Sequence, residues 1–201
     1  MIILDYNGIA VGAVLAQKAE VNEDLIRHII LNQIRLYNHK FRDEYGQMVI
    51  ACEGGSWRKE VFPQYKAVRK KSRDNDDMDW DALFKIINQV TEDLKNNFPY
   101  KVIKVRGAEA DDIIGTLAEE TQEFGKHEPV MIISADKDFL QLQKYDNVRQ
   151  FSPMQKKFLT EPNPRKYLFE HILKGDSGDG VPNCLSGDNV FVDSIRQSPV
   201  T

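Results

Sequence analysis

Short apolar runs alternate with segments of helical periodicity along this chain. Runs of strand length occupy residues 1–5, 47–52, 101–105 and 129–134. Apolar residues at helical spacing follow Asn22 and Asp24, and a second such stripe follows Asp79, which suits an N-cap. A third helix is predicted over 108–124, ending near Gly125. Strand alternating with helix predicts an α/β fold whose central sheet is mostly parallel and flanked by helices.

The last third of the chain carries weaker signals. Residues 148–151 and 157–160 are predicted to form a small edge element, and residues 167–174 a final helix. A glycine-rich stretch follows, which predicts a loop.

Composition limits the size and the setting of the protein. The 201 residues are 41% hydrophobic, enough for one substantial core, and a domain size of roughly 150 residues predicts one domain with an appendage. Two cysteines provide no disulfide framework, so a reduced, cytoplasmic setting is expected. No apolar run approaches the ~20 residues of a bilayer span, and the chain leads directly into a strand, so neither a membrane segment nor a signal peptide is predicted.

Charge is distributed unevenly. The net charge of −4 argues mildly against a nucleic-acid partner only if the charge is evenly spread. Residues 58–73 are strongly basic, contain the aromatic residues Phe62 and Tyr65, and are followed at once by an acidic run. The pattern predicts either a nucleic-acid surface outside the core or a solvated helix face before an acidic cap. Its cationic residues are Arg58, Lys59, Lys66, Arg69, Lys70, Lys71 and Arg73.

Nine carboxylates fall in five short clusters. Three clusters lie at the ends of predicted parallel strands or on the helix that follows one, where such sheets gather ligands. The acids at 109–112 also suit the first turn of a helix without any ligand, because they interact favourably with its dipole. The nine residues are Asp5, Glu53, Glu109, Asp111, Asp112, Asp136, Asp138, Asp176 and Asp179.

Carboxylates without accompanying histidines or thiolates favour hard cations. Mg²⁺ or Mn²⁺ takes octahedral oxygen ligands, and an excess of acids suits two ions roughly 4 Å apart. Two-metal phosphodiester hydrolysis is the chemistry that such a site predicts. The four histidines, His28, His39, His127 and His171, are not adjacent to a cluster in sequence and are assigned surface or packing roles.

Five motifs resemble a known superfamily in their order and spacing. They are Ile-Leu-Asp (3–5), Trp-Arg-Lys (57–59) with Tyr-Lys-Ala-Val-Arg (65–69), Glu-Ala-Asp-Asp (109–112), Ser-Ala-Asp-Lys-Asp-Phe (134–139) and Gly-Asp-Ser-Gly-Asp-Gly-Val-Pro (175–182). The chain resembles the flap endonuclease, or structure-specific 5′-nuclease, superfamily over nearly its whole length. Asp-Trp (79–80), Leu-Gln-Lys-Tyr (142–145) and Gln-Phe-Ser-Pro-Met (150–154) are most similar to its branch of T-even bacteriophage ribonucleases H.

The resemblance implies a domain organisation. A PIN-like 5′-nuclease catalytic domain is expected over 1–174, with a helical arch or flexible loop at about 57–79 that admits a single-stranded 5′ end. Residues 175–201 would begin a helix-turn-helix region that holds duplex. The family continues well past this region, so a C-terminally truncated chain is expected.

Site roles also follow from the resemblance. Lys66, Arg69 and Arg58 would contact the scissile phosphate, while the amides of the 175–183 loop, including Gly178 and Gly180, and a bound K⁺ would face duplex phosphates. The family has Asp where this chain has Glu53, so Glu53 is expected to reach a metal differently or through water. The first metal would lie among Asp5, Glu109, Asp111 and Asp136, and the second among Asp112, Asp138, Asp176 and Asp179.

The predicted function is a Mg²⁺-dependent 5′ to 3′ exonuclease and flap endonuclease with ribonuclease H activity, able to use Mn²⁺. It would act as a monomer on DNA flaps and RNA–DNA hybrids during phage-type replication in an infected bacterial cell. Single-stranded-DNA-binding protein or a sliding clamp are the expected partners.

Two alternatives belong to other classes. A catalytically impaired, structure-specific DNA-binding fragment would keep the phosphate contacts without turnover. A phosphotransferase of the haloacid dehalogenase kind also ends its first strand with an acid, but it requires Asp-x-Asp, and Asn7 stands where the second acid would be.

Overall fold

A computed structural model describes residues 1–17, 21–74, 76–123 and 127–200, and leaves the side chains of 70–72 and 74 outside the description. Its elements, in chain order, are β1 (Ile2–Asp5), α1 (Tyr6–Gln17), α2 (Glu23–Tyr45), β2 (Met48–Cys52), α3 (Arg58–Val61), α4 (Ala67–Asp74), α5 (Trp80–Asn97), β3 (Lys101–Lys104), α6 (Ala110–Glu123), β4 (Val130–Ile133), a 3₁₀ helix (Lys137–Lys144), β5 (Val148–Ser152), β6 (Lys157–Leu159) and α7 (Pro164–Lys174). The chain divides into two compact units, Met1–Gly55 with Asp79–Pro162 and Ser56–Met78 with Asn163–Thr201.

The first unit is built on a six-stranded sheet of order β3-β2-β1-β4-β5-β6. Strands β1 to β5 are parallel to their neighbours, and β6 pairs with β5 in the antiparallel sense. The predicted mostly parallel α/β sheet is therefore confirmed. The order reverses between β1 and β4, which is the point where open parallel sheets bind ligands.

Helices cover both faces of this sheet. Strands β1 and β4 are buried along their whole length, and successive side chains of a strand point to opposite faces. Ile3 and Ile132 pack with Ile113 and Ile114 of α6 in one buried cluster. The contacts of α1, α2 and α5 with the strands complete the core.

The predicted helix starts are confirmed by their caps. The side chain of Asn22 accepts a hydrogen bond from Leu25 N at 3.1 Å, and that of Asp79 accepts one from Ala82 N at 2.9 Å. The predicted helix end near Gly125 lies outside the described residues.

One element of the first unit was not predicted from the sequence, and another was predicted only in part. Helix α1 was not predicted, because its sequence has two glycines and no acidic residue in its first turn to mark a start. The predicted small edge element is in fact two strands of the main sheet: β6 lies at the edge, but β5 is an interior strand between β4 and β6.

The second unit contains α3, α4, α7 and the loop that follows α7. Helix α7 is capped at its start by Asn163, whose side chain accepts from Lys166 N, and at its end by Gly175, whose φ of 69° suits glycine. A two-residue bridge between Asp176 and Val181 then closes the glycine-rich loop. The basic segment forms two short helices, α3 and α4. In the described part of the chain no helix has the length and apolarity needed to cross a lipid bilayer.

Candidate active site at the carboxyl edge of the sheet

Asp5 lies at the centre of the edge where the parallel strands end. It is the last residue of β1, pairs in register with Ala51 of β2, and is 9% exposed. Gly8 N donates a hydrogen bond to Asp5 Oδ1 at 3.2 Å. A Cβ on Gly8 would lie 2.5 Å from Asp5 Oδ2, so the absence of a side chain at Gly8 makes room for the carboxylate.

Ser134 joins the acids that follow β1 and β4. Its hydroxyl donates to Asp5 Oδ2 at 2.7 Å and accepts from the backbone N of Asp136 at 3.1 Å. Asp136 is exposed, and its Oδ1 accepts from Asp138 N at 2.9 Å, which caps the 3₁₀ helix. The structure therefore brings together Asp5 and Asp136, which are remote in sequence, through one buried hydroxyl.

Glu53 follows β2 and is held beside the segment that leads from β3 to α6. Gly54 N donates to Ala108 O at 2.9 Å, and Gly107 N donates to Gly54 O at 2.8 Å. A Cβ on Gly54 would lie 1.8 Å from Val105 O, so only glycine permits this approach. The contact fixes the backbone next to Glu53 against the residues that precede Glu109.

The acids of 109–112 lie at the start of α6. Glu109 is 4% exposed, and its backbone N donates to Asp112 Oδ2 at 2.9 Å. Asp111 and Asp112 are half-buried in the first helical turn, where the helix dipole favours negative charge. Asp112 therefore acts as a cap in this structure, as the dipole interpretation of the sequence anticipated.

The donor set of this edge fits a hard divalent cation. All of its candidate ligands are carboxylates, and two of them, Asp5 and Glu109, are buried, where a negative charge needs compensating partners. Burial raises the pKa of the neighbouring Cys52 thiol to about 12, so this thiol stays protonated at neutral pH. Among the described residues, no three carboxylates of this edge bring ligand atoms within 4.8 Å of one another.

In the second unit, Asp179 accepts contacts from three residues of the basic segment. Tyr65 Oη donates to Asp179 Oδ2 at 2.8 Å, Lys66 Nζ lies 3.6 Å from the same oxygen, and Arg69 forms an ion pair with Oδ1. Arg69 Nε also donates to Gly178 O at 2.9 Å. Because Tyr65 is only 6% exposed, little of its ring is open in this structure to the nucleic-acid surface that the basic segment predicts.

Asp176 organises the glycine-rich loop. Its Oδ1 accepts from Gly178 N at 2.7 Å and from Asp179 N at 3.1 Å, while Gly180 N donates to Ser177 O at 3.3 Å. The amides predicted to face duplex phosphates therefore make contacts within the loop.

The position of His171 differs from the prediction that no histidine lies beside a carboxylate cluster. Its Nε2 lies 3.7 Å from Asp176 Oδ2, so this histidine is beside a carboxylate cluster. The end of α7 brings the two side chains together although five positions separate them in sequence.

The remaining residues predicted to bind nucleic acid also lie on the basic segment. The Arg58 guanidinium lies 4.9 Å from the centroid of the Trp57 ring, and Lys59 and Arg73 are exposed. The side chains of Lys70 and Lys71 lie outside the described part of the structure.

Two residues that support the edge were not predicted from the sequence. Gly8 has a weak sequence signal, a glycine in the turn after a strand-end Asp. Ser134 belongs to the Ser-Ala-Asp-Lys-Asp-Phe motif, but no role was assigned to it, because its partner Asp5 is 129 positions away.

Comparison with known proteins gives matches to nucleases. Residues 5–168 match the family described as 5′-3′ exonuclease, N-terminal resolvase-like domain. The chain is 34% identical over 188 residues to ribonuclease H of Enterobacteria phage T4, covering 89% of this chain and 61% of that protein. It is 30% identical over 135 residues to a 5′-3′ exonuclease of Buchnera aphidicola, covering 63% of this chain and 43% of that protein. The chain thus spans less than two thirds of these relatives.

Solved structures share the fold at low sequence identity. T5 5′-exonuclease with bound zinc ions matches with a TM-score of 0.69 and 19% identity, over 91% of this chain and 69% of that chain. Bacteriophage T5 flap endonuclease in a pseudo-enzyme-product complex with DNA and metal ions matches with a TM-score of 0.69 and 17% identity, over 96% and 72%. These likenesses confirm the predicted PIN-like fold.

Proposed function

The chain belongs to the family of 5′-3′ exonuclease N-terminal, resolvase-like domains, within the 5′-nuclease superfamily, and on this premise we propose that it hydrolyses phosphodiester bonds near the 5′ ends of nucleic acids. The observation that carries the proposal is the Ser134 hydroxyl, which bonds Asp5 at the end of β1 and Asp136 after β4. Asp5 and Asp136 lie where the strand order reverses between β1 and β4. Their carboxylate oxygens are the ligand type that a hydrolytic metal ion needs.

The residues of the edge have distinct tasks in this proposal. Asp5 and Glu109 are buried and would hold a Mg²⁺ ion, or Mn²⁺ in its place, from the protein side. Asp136 is exposed and would complete the site where a substrate can approach. Glu53, Asp111, Asp112 and Asp138 would contribute directly or through water.

A bound divalent ion supplies an activated water at neutral pH and stabilises the charge that develops on the phosphate. The chain orients the ligands for this chemistry through Ser134 and Gly8. A second ion bound by Asp176 and Asp179, and a K⁺ at the 175–183 loop, stay predictions from the resemblance.

Cations of the second unit would recruit the substrate. Lys66 and Arg69 already bind an anionic group, the Asp179 carboxylate, and Arg guanidinium groups suit phosphate equally well. We propose that these residues, with Arg58, take the phosphate of a 5′ end. The motif resemblance, together with the ribonuclease H relative, leads us to propose RNA primers and DNA flaps as the substrate class. The predicted protein partners and the monomeric state stay predictions.

A cleavage assay tests the proposal. A flap substrate and an RNA–DNA hybrid, each labelled in separate samples at the 5′ or the 3′ end, are incubated with the full chain in Mg²⁺ or in excess chelator. Release of short 5′-labelled products in Mg²⁺ alone is the expected result. Binding by mobility shift without any cleavage in Mg²⁺ or Mn²⁺ would overturn the proposal and favour the alternative of a DNA-binding fragment.

A further inference from the structure

Gln150 is a fully buried polar residue in the interior of the sheet. It lies on β5, in register with Ile132 of β4 on one side and Leu159 of β6 on the other, and is 0% exposed. Burying an amide in such a place is costly unless hydrogen bonds compensate. Its contacts therefore indicate why a glutamine occupies this position.

The Gln150 amide binds the backbone of the segment that carries Asp136. Its Nε2 donates to Ser134 O at 3.1 Å and also to Asp136 O. Both acceptors are carbonyl oxygens, so only the NH₂ group can face them. Within the described structure, Gln150 Oε1 has no hydrogen-bond partner. The side chain thus uses both of its donors on residues 134–136.

Residues 134–136 connect this amide to the acidic edge. Ser134 Oγ bonds Asp5 Oδ2 and Asp136 N, so a shift of this segment would move both carboxylates relative to each other. We propose that Gln150 is a positioning residue that sets the affinity of the edge for a divalent cation by fixing the backbone of Ser134 and Asp136. This inference rests on the proposed function, because it presumes that the edge binds metal.

The hydrogen bonds of Gln150 explain why glutamine, and not glutamate or methionine, suits this position. A glutamate at 150 would place a carboxylate oxygen against two carbonyl oxygens, an arrangement of acceptors without a donor. A methionine would keep the length and the apolar stem but would leave Ser134 O and Asp136 O without this donor. Gln150→Met therefore removes the hydrogen bonds with little change in volume.

Gln143 offers a matched control in the same unit. It is a partly buried glutamine whose Nε2 donates to Leu159 O at 3.0 Å and whose Oε1 accepts from Glu161 N at 2.9 Å. Its contacts support the strand that forms the far edge of the sheet. Gln143→Met therefore removes backbone-directed hydrogen bonds without touching residues 134–136.

The test is a titration of the full chain with Mn²⁺, followed by the electron paramagnetic resonance signal of unbound Mn²⁺, together with thermal unfolding of each variant. Gln150→Met is expected to bind Mn²⁺ about 10- to 100-fold more weakly than wild type, the usual effect of losing a partner that orients metal ligands. Gln143→Met is expected to bind Mn²⁺ as wild type does. Cleavage by Gln150→Met should recover toward the wild-type rate at saturating metal. Thermal unfolding of the metal-free variant separates this recovery from refolding driven by metal binding.

Wild-type affinity in Gln150→Met, or equal weakening in Gln143→Met, would overturn the inference. If Gln150→Met does not fold, Ser134→Ala carries the test, and unchanged Mn²⁺ affinity in that variant would overturn it. Failure of the proposed function is distinguishable, because the wild-type chain would then bind no Mn²⁺ at this edge and Asp136→Asn would leave the titration unchanged.

Discussion

Lys66 and Asp179 are joined twice in the second unit. The backbone N of Lys66 donates to Asp179 O at 2.7 Å, and Lys66 Nζ lies 3.6 Å from Asp179 Oδ2. Their side chains are 18% and 14% exposed, so the pair is shielded from much of the solvent. The Asp179 carboxylate therefore already pairs with the Lys66 ammonium group, which we propose binds a phosphate of the substrate.

Replacing Asp179 should release these cations for nucleic acid. Asp179→Asn removes the negative charge that Lys66 and Arg69 contact, so a single-stranded oligonucleotide should bind more tightly in the presence of chelator. The slope of log K against log salt should steepen by about 0.7 for each additional phosphate that the protein neutralises. Fluorescence anisotropy over a range of salt concentrations measures both quantities.

Asp188→Asn is the control for this prediction. Asp188 is an exposed residue of the same unit, and its replacement changes the net charge by the same amount. An equal increase in affinity for both variants would show that net charge alone is responsible and would contradict the specific role of Asp179.

Two glycines of α1 give a matched pair of predictions. A Cβ on Gly8 would lie 2.5 Å from Asp5 Oδ2, whereas a Cβ on Gly12 would meet nothing within 4 Å. Alanine is a better helix former than glycine by about 1 kcal/mol. Gly12→Ala should therefore raise the free energy of unfolding and leave cleavage unchanged, while Gly8→Ala should displace the Asp5 carboxylate and slow cleavage at least about 10-fold.

Chemical denaturation and single-turnover cleavage of the two variants check this pair. Wild-type cleavage by Gly8→Ala would show that the position of the Asp5 carboxylate is not critical.

The two cysteines should react very differently with alkylating reagents. Cys52 is buried and burial raises its thiol pKa to about 12, whereas Cys184 is exposed. Because the thiolate is the reactive form, we expect one modified cysteine per native chain at about pH 8, located at Cys184. Mass spectrometry of peptides from the alkylated protein identifies the site, and rapid native modification of Cys52 would contradict its burial.

The raised pKa of Cys52 also predicts a loss of stability in alkaline solution. The unfolded thiol ionises near its ordinary pKa of 9.0, while the folded thiol keeps its proton up to about pH 12. Its contribution to stability is therefore complete below the unfolded pKa and is lost as pH rises through this window. Urea unfolding of wild type and Cys52→Ala should show a steeper decline for wild type between these pH values; parallel declines would contradict the prediction.

Much of the fold could be predicted because its signals are local. The four predicted apolar runs match the bounds of β1, β2, β3 and β4 to within a residue or two. Asn22 and Asp79 were correctly predicted to mark helix starts, because each caps a helix with its side chain. Strand β5 was misjudged because Gln150 and Ser152 look like surface residues, although both are buried. Hydrogen bonds to distant backbone groups make that burial possible, and a single sequence does not show them.

The candidate site was only partly predictable for the same reason. The sheet topology follows from the alternation of elements, so the gathering of Asp5 and Asp136 at one edge could be anticipated. The roles of Ser134 and Gln150 depend on partners that are remote along the chain or on a neighbouring strand. The contact of Asp179 with the basic segment likewise joins residues more than one hundred positions apart.

The central claim is that the edge formed by β1 and β4 carries out phosphodiester hydrolysis. The most direct test is the single-turnover rate of flap cleavage in Mg²⁺ for wild type, Asp136→Asn and Asp146→Asn. Asp146 is an exposed acid just before β5, at the opposite edge of the sheet, so its variant controls for the lost charge. We predict that Asp136→Asn slows cleavage by more than about 100-fold with folding intact and that Asp146→Asn cleaves as wild type does. Full activity in Asp136→Asn, or equal loss in both variants, would contradict the assignment of this edge as the active site.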